Sequence, residues 1–376
     1  MDTYDILIVG GGMAGLGCAR VLREKGATDF CLVTEHVGGR APLTGHDALS
    51  SACYARSDYC HMQPFLSYGR RASIWKGRLI TQEKKWRPSA IALRHPILFL
   101  SFVFHIWRFD RRYQRFMRRN EFMSQKESME KDPELLKIYN QSASDFLHEH
   151  GLAPLGTVLI STLVRVTSFL SLEESSAFLM LWIWLILLRR ARECTVDGEK
   201  ITENLHFCIT LDCVCSIKQK KDEWVVETTS GHTMAARRLV MATPITVTQK
   251  LLNISSPGRT DLNVFMAKVR GTAKKKYVDG RYNVFPMGCP DVSIIDGEDG
   301  TYELYSLRAD FDLSHYFDDY CVLYTKSWEP AACLGKELHF SQKGNNLFIV
   351  GDCNFPCLEA AYVSGMQAAK ALLERM

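Results

Sequence analysis

No apolar run in this 376-residue chain is long enough to cross a bilayer. A spanning helix needs about 20 such residues, and the two best candidates, Ile97 to Trp107 and Ala177 to Leu188, reach only about a dozen each. Ser101 and His105 also interrupt the first, so buried helices are expected for both. A basic leader is lacking as well: Met1 runs straight into a strand-like segment, and no secretory signal is expected. Metal-ligand spacing is equally scarce. The thirteen cysteines are odd in number and scattered. Cys213 and Cys215 fall in an expected strand, where alternation sends both to one face. Cys353 and Cys357 form a pair with no partner cluster. A reduced, cytoplasmic chain with buried free thiols is expected, without bound metal. No Ser-His-Asp or zinc pattern, repeat or low-complexity tract stands out. A large core is not excluded, since 47% of residues are hydrophobic and only 23% charged.

Charge of either sign is nearly balanced at +4 overall, but unevenly spread. Between Arg70 and Lys126 there are fifteen Lys/Arg against three Asp/Glu, so the rest of the chain is net acidic. Such a block attracts anions, acidic lipid surfaces or nucleic acid; the alternative is a solvated basic face. Arg108, Arg111, Arg112, Arg115, Arg118 and Arg119 directly follow the first apolar run. Residues 95–119 therefore suit a peripheral contact with an anionic bilayer, and no nucleic-acid partner is expected.

Along the chain, Tyr4 to Val9 reads as a buried parallel strand, Met13 to Glu24 as a helix and Phe30 to Thr34 as a second strand. Residues from about 45 to 90 read as irregular and from about 97 to 193 as mostly helical. Within the latter, one amphipathic stretch ends at Gly151, a C-cap. A second begins with Ser171 and Glu174 at capping-box spacing and has a basic tail suited to a helix C-terminus. From about 206 the period becomes that of strands, with two hairpins leading to "RRLVMATP". "NVFMAKVRG", "TYELYSLRADF" and "NNLFIVGD" are further strands, and a helix runs from about Leu358 to the end.

Gly10, Gly12 and Gly15 form G-x-G-x-x-G between an expected strand and an expected helix, the context this pattern requires. The first glycine permits the turn, the second lets backbone approach a pyrophosphate, and the third lets helix pack on sheet. The amides of Met13 and Ala14 open the helix, whose positive end faces the phosphates. Glu35 follows the second strand, where an acceptor for ribose hydroxyls belongs. His36 and Val37 then lead to Gly38, Gly39 and Arg40. Two more glycines allow another close backbone approach, and an arginine can neutralise phosphate.

This acid-x-x-G-G-R pattern resembles the flavin-containing amine oxidoreductase superfamily, which includes monoamine oxidases, protoporphyrinogen oxidase and phytoene desaturases. Two further stretches are similar to it. Ala242, Thr243 and Pro244 end the strand after a hairpin whose Val214 matches a backbone contact to adenine. Gly351 and Asp352 precede a helix beginning at Leu358 and Glu359, with Ala361 and Gly365 also agreeing. The resemblance covers about a quarter of the chain and implies FAD as cofactor. It implies an α/β fold: a Rossmann-type FAD-binding domain with a mixed α+β substrate domain. The expected FAD domain is discontinuous, 1–50, 200–245 and 335–376; the substrate domain is 51–199 and 246–334, helical over 90–195. In the family, Asp352 would bind the ribityl hydroxyls or sit by the pyrophosphate. The helix start at 358 would stabilise negative charge at the N1–O2 edge of the flavin.

The implied reaction is dehydrogenation of a C–N or C–C bond of a hydrophobic or anionic small molecule, with hydride passing to flavin N5. Lys268 matches a lysine that holds a water near N5, and Trp328 matches one wall of an aromatic substrate cage. Cys357 stands where the second aromatic wall is usual, and Ala360 where glycine is usual. These departures keep two alternatives open: isomerisation without net redox change, and a flavoprotein acting as a binding partner. His46, Tyr54 and His61 lie in a segment able to approach the ring.

Overall fold

The computed structural model describes residues 1–41, 43, 54–55, 59–71, 78–80, 85–86, 88–188, 192–254, 259–297, 299–335, 342–343 and 346–374. It opens with β1 (Asp2–Val9), α1 (Met13–Glu24) and β2 (Phe30–Thr34). The last four residues of β1 and all of β2 are buried, as expected for parallel strands covered on both faces.

The segment expected to be irregular contains short strands instead: β3 (Tyr54–Ala55), β4 (Leu66–Arg71), β5 (Arg78–Ile80) and β6 (Lys85–Trp86). Most are two or three residues long, too short to show a period, and apart from the pairing of β5 with β6 their partners are distant in sequence. Then come α2 (Pro88–Arg94), α3 (Pro96–Arg119), α4 (Gln125–Glu130), α5 (Pro133–Asn140), α6 (Ala143–Glu149), α7 (Ala153–Leu155), α8 (Ser161–Ser168) and α9 (Ala177–Leu188).

Two expectations are corrected here. The amphipathic stretch ending at Gly151 is two helices, because Gln141 leaves the helical backbone and the Ser142 hydroxyl caps α6 by accepting from the Asp145 amide at 3.0 Å. Ser171 and Glu174 do exchange capping-box bonds, 2.9 and 3.2 Å, but they close a turn. Helix α9 starts later, under the Ser176 hydroxyl, and the end of the basic tail, Arg192 and Glu193, opens strand β7 (Arg192–Val196) between β3 and β4. Ladder hydrogen bonds to a strand on each side outweigh the local helical signal there.

The second half contains α10 (Gly198–Thr202), β8 (Ile209–Leu211), β9 (Val214–Lys220), β10 (Glu223–Thr228), β11 (Thr233–Met241) and α11 (Ile245–Leu252). It continues with β12 (Arg259–Ala273), β13 (Tyr282–Val284), β14 (Asp291–Asp296), β15 (Thr301–Ser306), β16 (Phe317–Gly335), β17 (Gln342–Lys343), β18 (Leu347–Ile349) and α12 (Leu358–Leu373). Because β9 begins at Val214, Cys213 lies just outside the strand expected to hold it.

One sheet runs β17-β18-β11-β1-β2-β8, with β9 and β10 forming a meander on β11. Its pairs β18–β11, β11–β1, β1–β2 and β2–β8 are all parallel. Strands from three distant stretches thus end on one side, where ligands of open parallel sheets bind. A second sheet runs β16-β12-β15-β14-β13-β5-β6 and is antiparallel except at β13–β5.

Helices α1 and α12 cross at backbone contact. A methyl on Gly365 would come 1.9 Å from the Ala14 carbonyl oxygen, and one on Gly17 would come 2.6 Å from that of Tyr362. Helix α9, apolar on every side, is core rather than pocket wall. Phe178 at its start meets Phe109 at 5.1 Å, Tyr139 at 5.6 Å and Phe355 at 5.0 Å. Phe355 precedes α12, so the helical layer clamps the loop that closes the first sheet.

Candidate functional site

The crevice at the carboxyl ends of β1, β2, β11 and β18 is built mainly from backbone. Gly10 (φ +108°) makes the turn out of β1, and a methyl there would meet the Ala242 carbonyl oxygen at 2.7 Å. A methyl on Gly15 would meet the Gly10 carbonyl oxygen at 1.9 Å. Gly12 differs: nothing lies within 4 Å of the place its side chain would occupy. Helix α1 begins here without a side-chain cap and without an acidic residue in its first turn, so the amides around Met13 and Ala14 face this open space.

The second glycine pair closes over the first. The Gly38 amide donates to the Gly11 carbonyl at 2.8 Å, and Gly39 (φ +59°) places its missing side chain 3.1 Å from the Gly12 Cα. Thr34, which no sequence motif singles out, organises the turn: its hydroxyl accepts from the Gly11 amide at 2.9 Å and donates to the His36 carbonyl at 2.8 Å. Glu35 and His36 are exposed at the end of β2. Val214 begins β9, which pairs with β10. The Ala242 amide donates to the Val9 carbonyl at 2.8 Å; the Thr243 hydroxyl bonds that of Thr248 at 2.8 Å, and Pro244 is the N-cap residue of α11.

Arg40 and Asp352 are brought together. The guanidinium meets both carboxylate oxygens, at 2.8 and 2.6 Å, and also donates to the Ala331 carbonyl at 2.5 Å. One side chain therefore joins the N-terminal turn, the C-terminal loop and β16. Gly351 (φ +130°) beside it also has open space where a side chain would stand. Helix α12 likewise begins without a side-chain cap.

Its first-turn acid, Glu359, has another task. Only 4% exposed, its carboxylate accepts the amides of Cys60, His61 and Met62, each at 2.9 Å. This anchor, invisible in the sequence, seats Tyr59 against Cys357, with hydroxyl and sulfur 3.1 Å apart. Burial pushes the Cys357 thiol above its ordinary pKa. His61 lies beside Glu121, 3.2 Å away. Leu358 is half-buried, Ala360 and Ala361 are buried, and the Gln125 amide donates to the Ala360 carbonyl at 3.1 Å. His46 and the Tyr54 side chain lie outside the described residues.

Lys268 and Trp328 share a face of the second sheet, since Val264 pairs with Trp328 and Lys268 with Tyr324. Lys268 reaches Glu303 at 3.2 Å, and the other oxygen of Glu303 accepts from the Tyr305 hydroxyl at 3.0 Å. Burial lowers the pKa of the Lys268 ammonium, but the charge and hydrogen bond of Glu303, with Tyr324 and Asp299 nearby, raise it net. Trp328 is buried with Val264, Met266 and Tyr305, and Lys326 stands 4.9 Å over its ring. Three residues after Trp328, Ala331 receives Arg40, so this face adjoins the crevice.

Together these features define a parallel sheet with a glycine-lined crevice at its carboxyl ends, joined to an antiparallel sheet. The chain matches no family model and no curated protein. Solved structures share its fold throughout. Wild-type putrescine oxidase bound to putrescine aligns with TM-score 0.64 at 13% identity over 99% of both chains. A redesigned double mutant of putrescine oxidase gives 0.67 at 12% over all of both chains. A fatty acid isomerase from P. acnes that produces CLA gives 0.65 at 11%, over 99% of this chain and 98% of its own. At such identity it is the fold that is shared; function must be argued from the site.

Proposed function

We propose that the chain binds FAD in this crevice and is an FAD-dependent oxidoreductase that dehydrogenates a C–N or C–C bond. The observation that carries the reading is the double glycine turn. Gly12 and Gly351 leave open space at the uncapped start of α1 and beside the Arg40–Asp352 pair, while Gly10 and Gly15 are closed by backbone. That cradle fits a diphosphate approached by main-chain amides. Glu35 would hold the ribose hydroxyls, and Arg40 and Asp352 would flank the diphosphate and ribityl chain. When bound, FAD supplies a two-electron acceptor for hydride.

The residues of the second sheet would orient the molecule to be oxidised. Lys268, kept cationic by Glu303, and the Tyr305–Tyr324–Trp328 face would bound the substrate space, and the buried Cys357 would narrow it from the other side. A second reading is favoured by one comparison: a fatty acid isomerase has the same fold, so isomerisation without net redox change fits the same architecture.

Purified protein should take up FAD and turn yellow; a protein that does not take it up refutes the cofactor. Anaerobic mixing with amines and with unsaturated fatty acids then separates the reactions. Bleaching of the flavin band supports dehydrogenation, and product without net bleaching supports isomerisation. Glu35→Ala should weaken FAD binding; unchanged affinity removes Glu35 from the site.

A further inference from the structure

Helix α3 carries two apolar faces, and only one is used. Phe102, Ile106, Phe109, Tyr113 and Phe116 are buried, with Phe102 edge-on to Trp184 at 5.2 Å. The opposite side continues a ridge begun at the end of α2. Leu93 is 79% exposed, Ile97 80%, Leu100 68%, Phe104 52% and Trp107 47%. Their spacing alternates between three and four residues, which keeps them in one stripe. An ordinary surface helix is polar on this side, and contiguous exposed apolar patches mark interaction surfaces.

The stripe then changes character. Arg108, Arg111, Arg115 and Arg118 are exposed on its C-terminal half, and Arg94 is exposed at its start. The Arg111 guanidinium lies 3.8 Å over the Trp107 ring, at the boundary between the two halves. The arginines turned inward are engaged: Arg112 pairs with Asp132 at 2.6 Å, and Arg119 donates to the Ser128 carbonyl at 2.8 Å. The acid of this helix, Asp110, is buried on the other side.

We infer that the ridge Leu93–Trp107 with Arg108, Arg111, Arg115 and Arg118 docks the protein on an anionic lipid bilayer. The apolar residues enter the boundary between headgroups and acyl chains, Trp107 sits at the interface, and the arginines meet lipid phosphates and carboxylates. Among the described residues, no helix is long and apolar enough to cross a membrane, so the contact is one-sided. The charge disfavours a second copy: arginines stand at both ends of the ridge, so parallel and antiparallel self-docking each bring cations together. The inference is independent of the cofactor reading.

The test is sedimentation of the full chain with vesicles of phosphatidylcholine alone or mixed with phosphatidylserine. Wild type should pellet with the mixed vesicles, poorly with the neutral ones, and less at high salt. Ile97→Ser/Leu100→Ser/Phe104→Ser and Arg108→Glu/Arg111→Glu/Arg115→Glu should each lower binding by roughly tenfold or more. Both variants should melt like wild type, since every replaced side chain is exposed. Wild type that does not pellet with mixed vesicles overturns the inference, as do variants that bind like wild type. Sedimentation of wild type as a dimer that the serine variant dissociates, without vesicle binding, assigns the ridge to a second copy and also overturns it.

Discussion

The crevice at the end of the parallel sheet and the Lys268 face of the antiparallel sheet are built by opposite means. The first is made of main chain: glycines, uncapped helix starts and turns that lean on one another. The second is made of side chains, Lys268 on Glu303 on Tyr305, with Lys326 on Trp328. A main-chain site tolerates almost no change where its backbones touch. The Lys268–Glu303 pair of the second can be altered with little cost to the fold, because both side chains are partly exposed and their pairing is screened.

The sharpest way to break this contrast compares two glycines of one turn. Gly15→Ala places a methyl 1.9 Å from a carbonyl oxygen and should cost about 3 kcal/mol or more. In an ordinary helix the same change would stabilise by about 1 kcal/mol. Gly12→Ala enters open space and should leave the melting temperature unchanged while lowering FAD affinity roughly tenfold or more. Equal effects on stability would show that the turn does not divide into a structural and a ligand-facing glycine.

Next in size is Glu359. Its replacement by Ala strands three amides and should destabilise by about 2 kcal/mol in denaturant melts, with Glu359→Gln losing less. A neutral result would mean that the 60–62 segment is held by other contacts. The Arg40–Asp352 pair should show a coupling of about 1 kcal/mol in a double-mutant cycle, since both side chains are only partly buried. An Arg40→Lys variant that retains full coupling would show that the bidentate geometry does not matter.

The smallest stability effect belongs to Lys268→Met, expected within about 1 kcal/mol of wild type. Lys268 has a raised pKa in the fold, so its ion pair is fully present below the ordinary value of 10.5 and fades only as pH rises through the higher folded value. The neutral to mildly alkaline range should therefore show no activity limb from Lys268, while kcat should fall in the variant. An unchanged kcat would remove Lys268 from the chemistry.

Legibility in the sequence follows the same division. The opening strand, helix and strand were readable because apolar runs and glycines are local signals; the helix matches Met13–Glu24 and the second strand Phe30–Thr34. The hairpins before Ala242 and the last helix were readable for the same reason. Short strands such as β5 and β6 were not, since two or three residues carry no period, and β5 joins its sheet through β13, some two hundred positions away. The break between α5 and α6 turned on one serine cap that competes with helical periodicity.

By itself, the sequence determined where main chain must approach main chain in the first turn, because only glycine fits at Gly10 and Gly15, and a residue type with one reason to be present is informative. It equally determined that α9 is core, because a helix apolar all round has nowhere else to go. Only the tertiary structure decided what the charged side chains do. Glu359 binds the 60–62 amides rather than facing the crevice, Arg40 pairs with Asp352, Lys268 takes Glu303, and the outward face of α3 is left uncovered. The physical reason is that carboxylates and cations accept many partners at comparable energy. Which partner is reached depends on strand register and helix placement, set by packing far away in the chain.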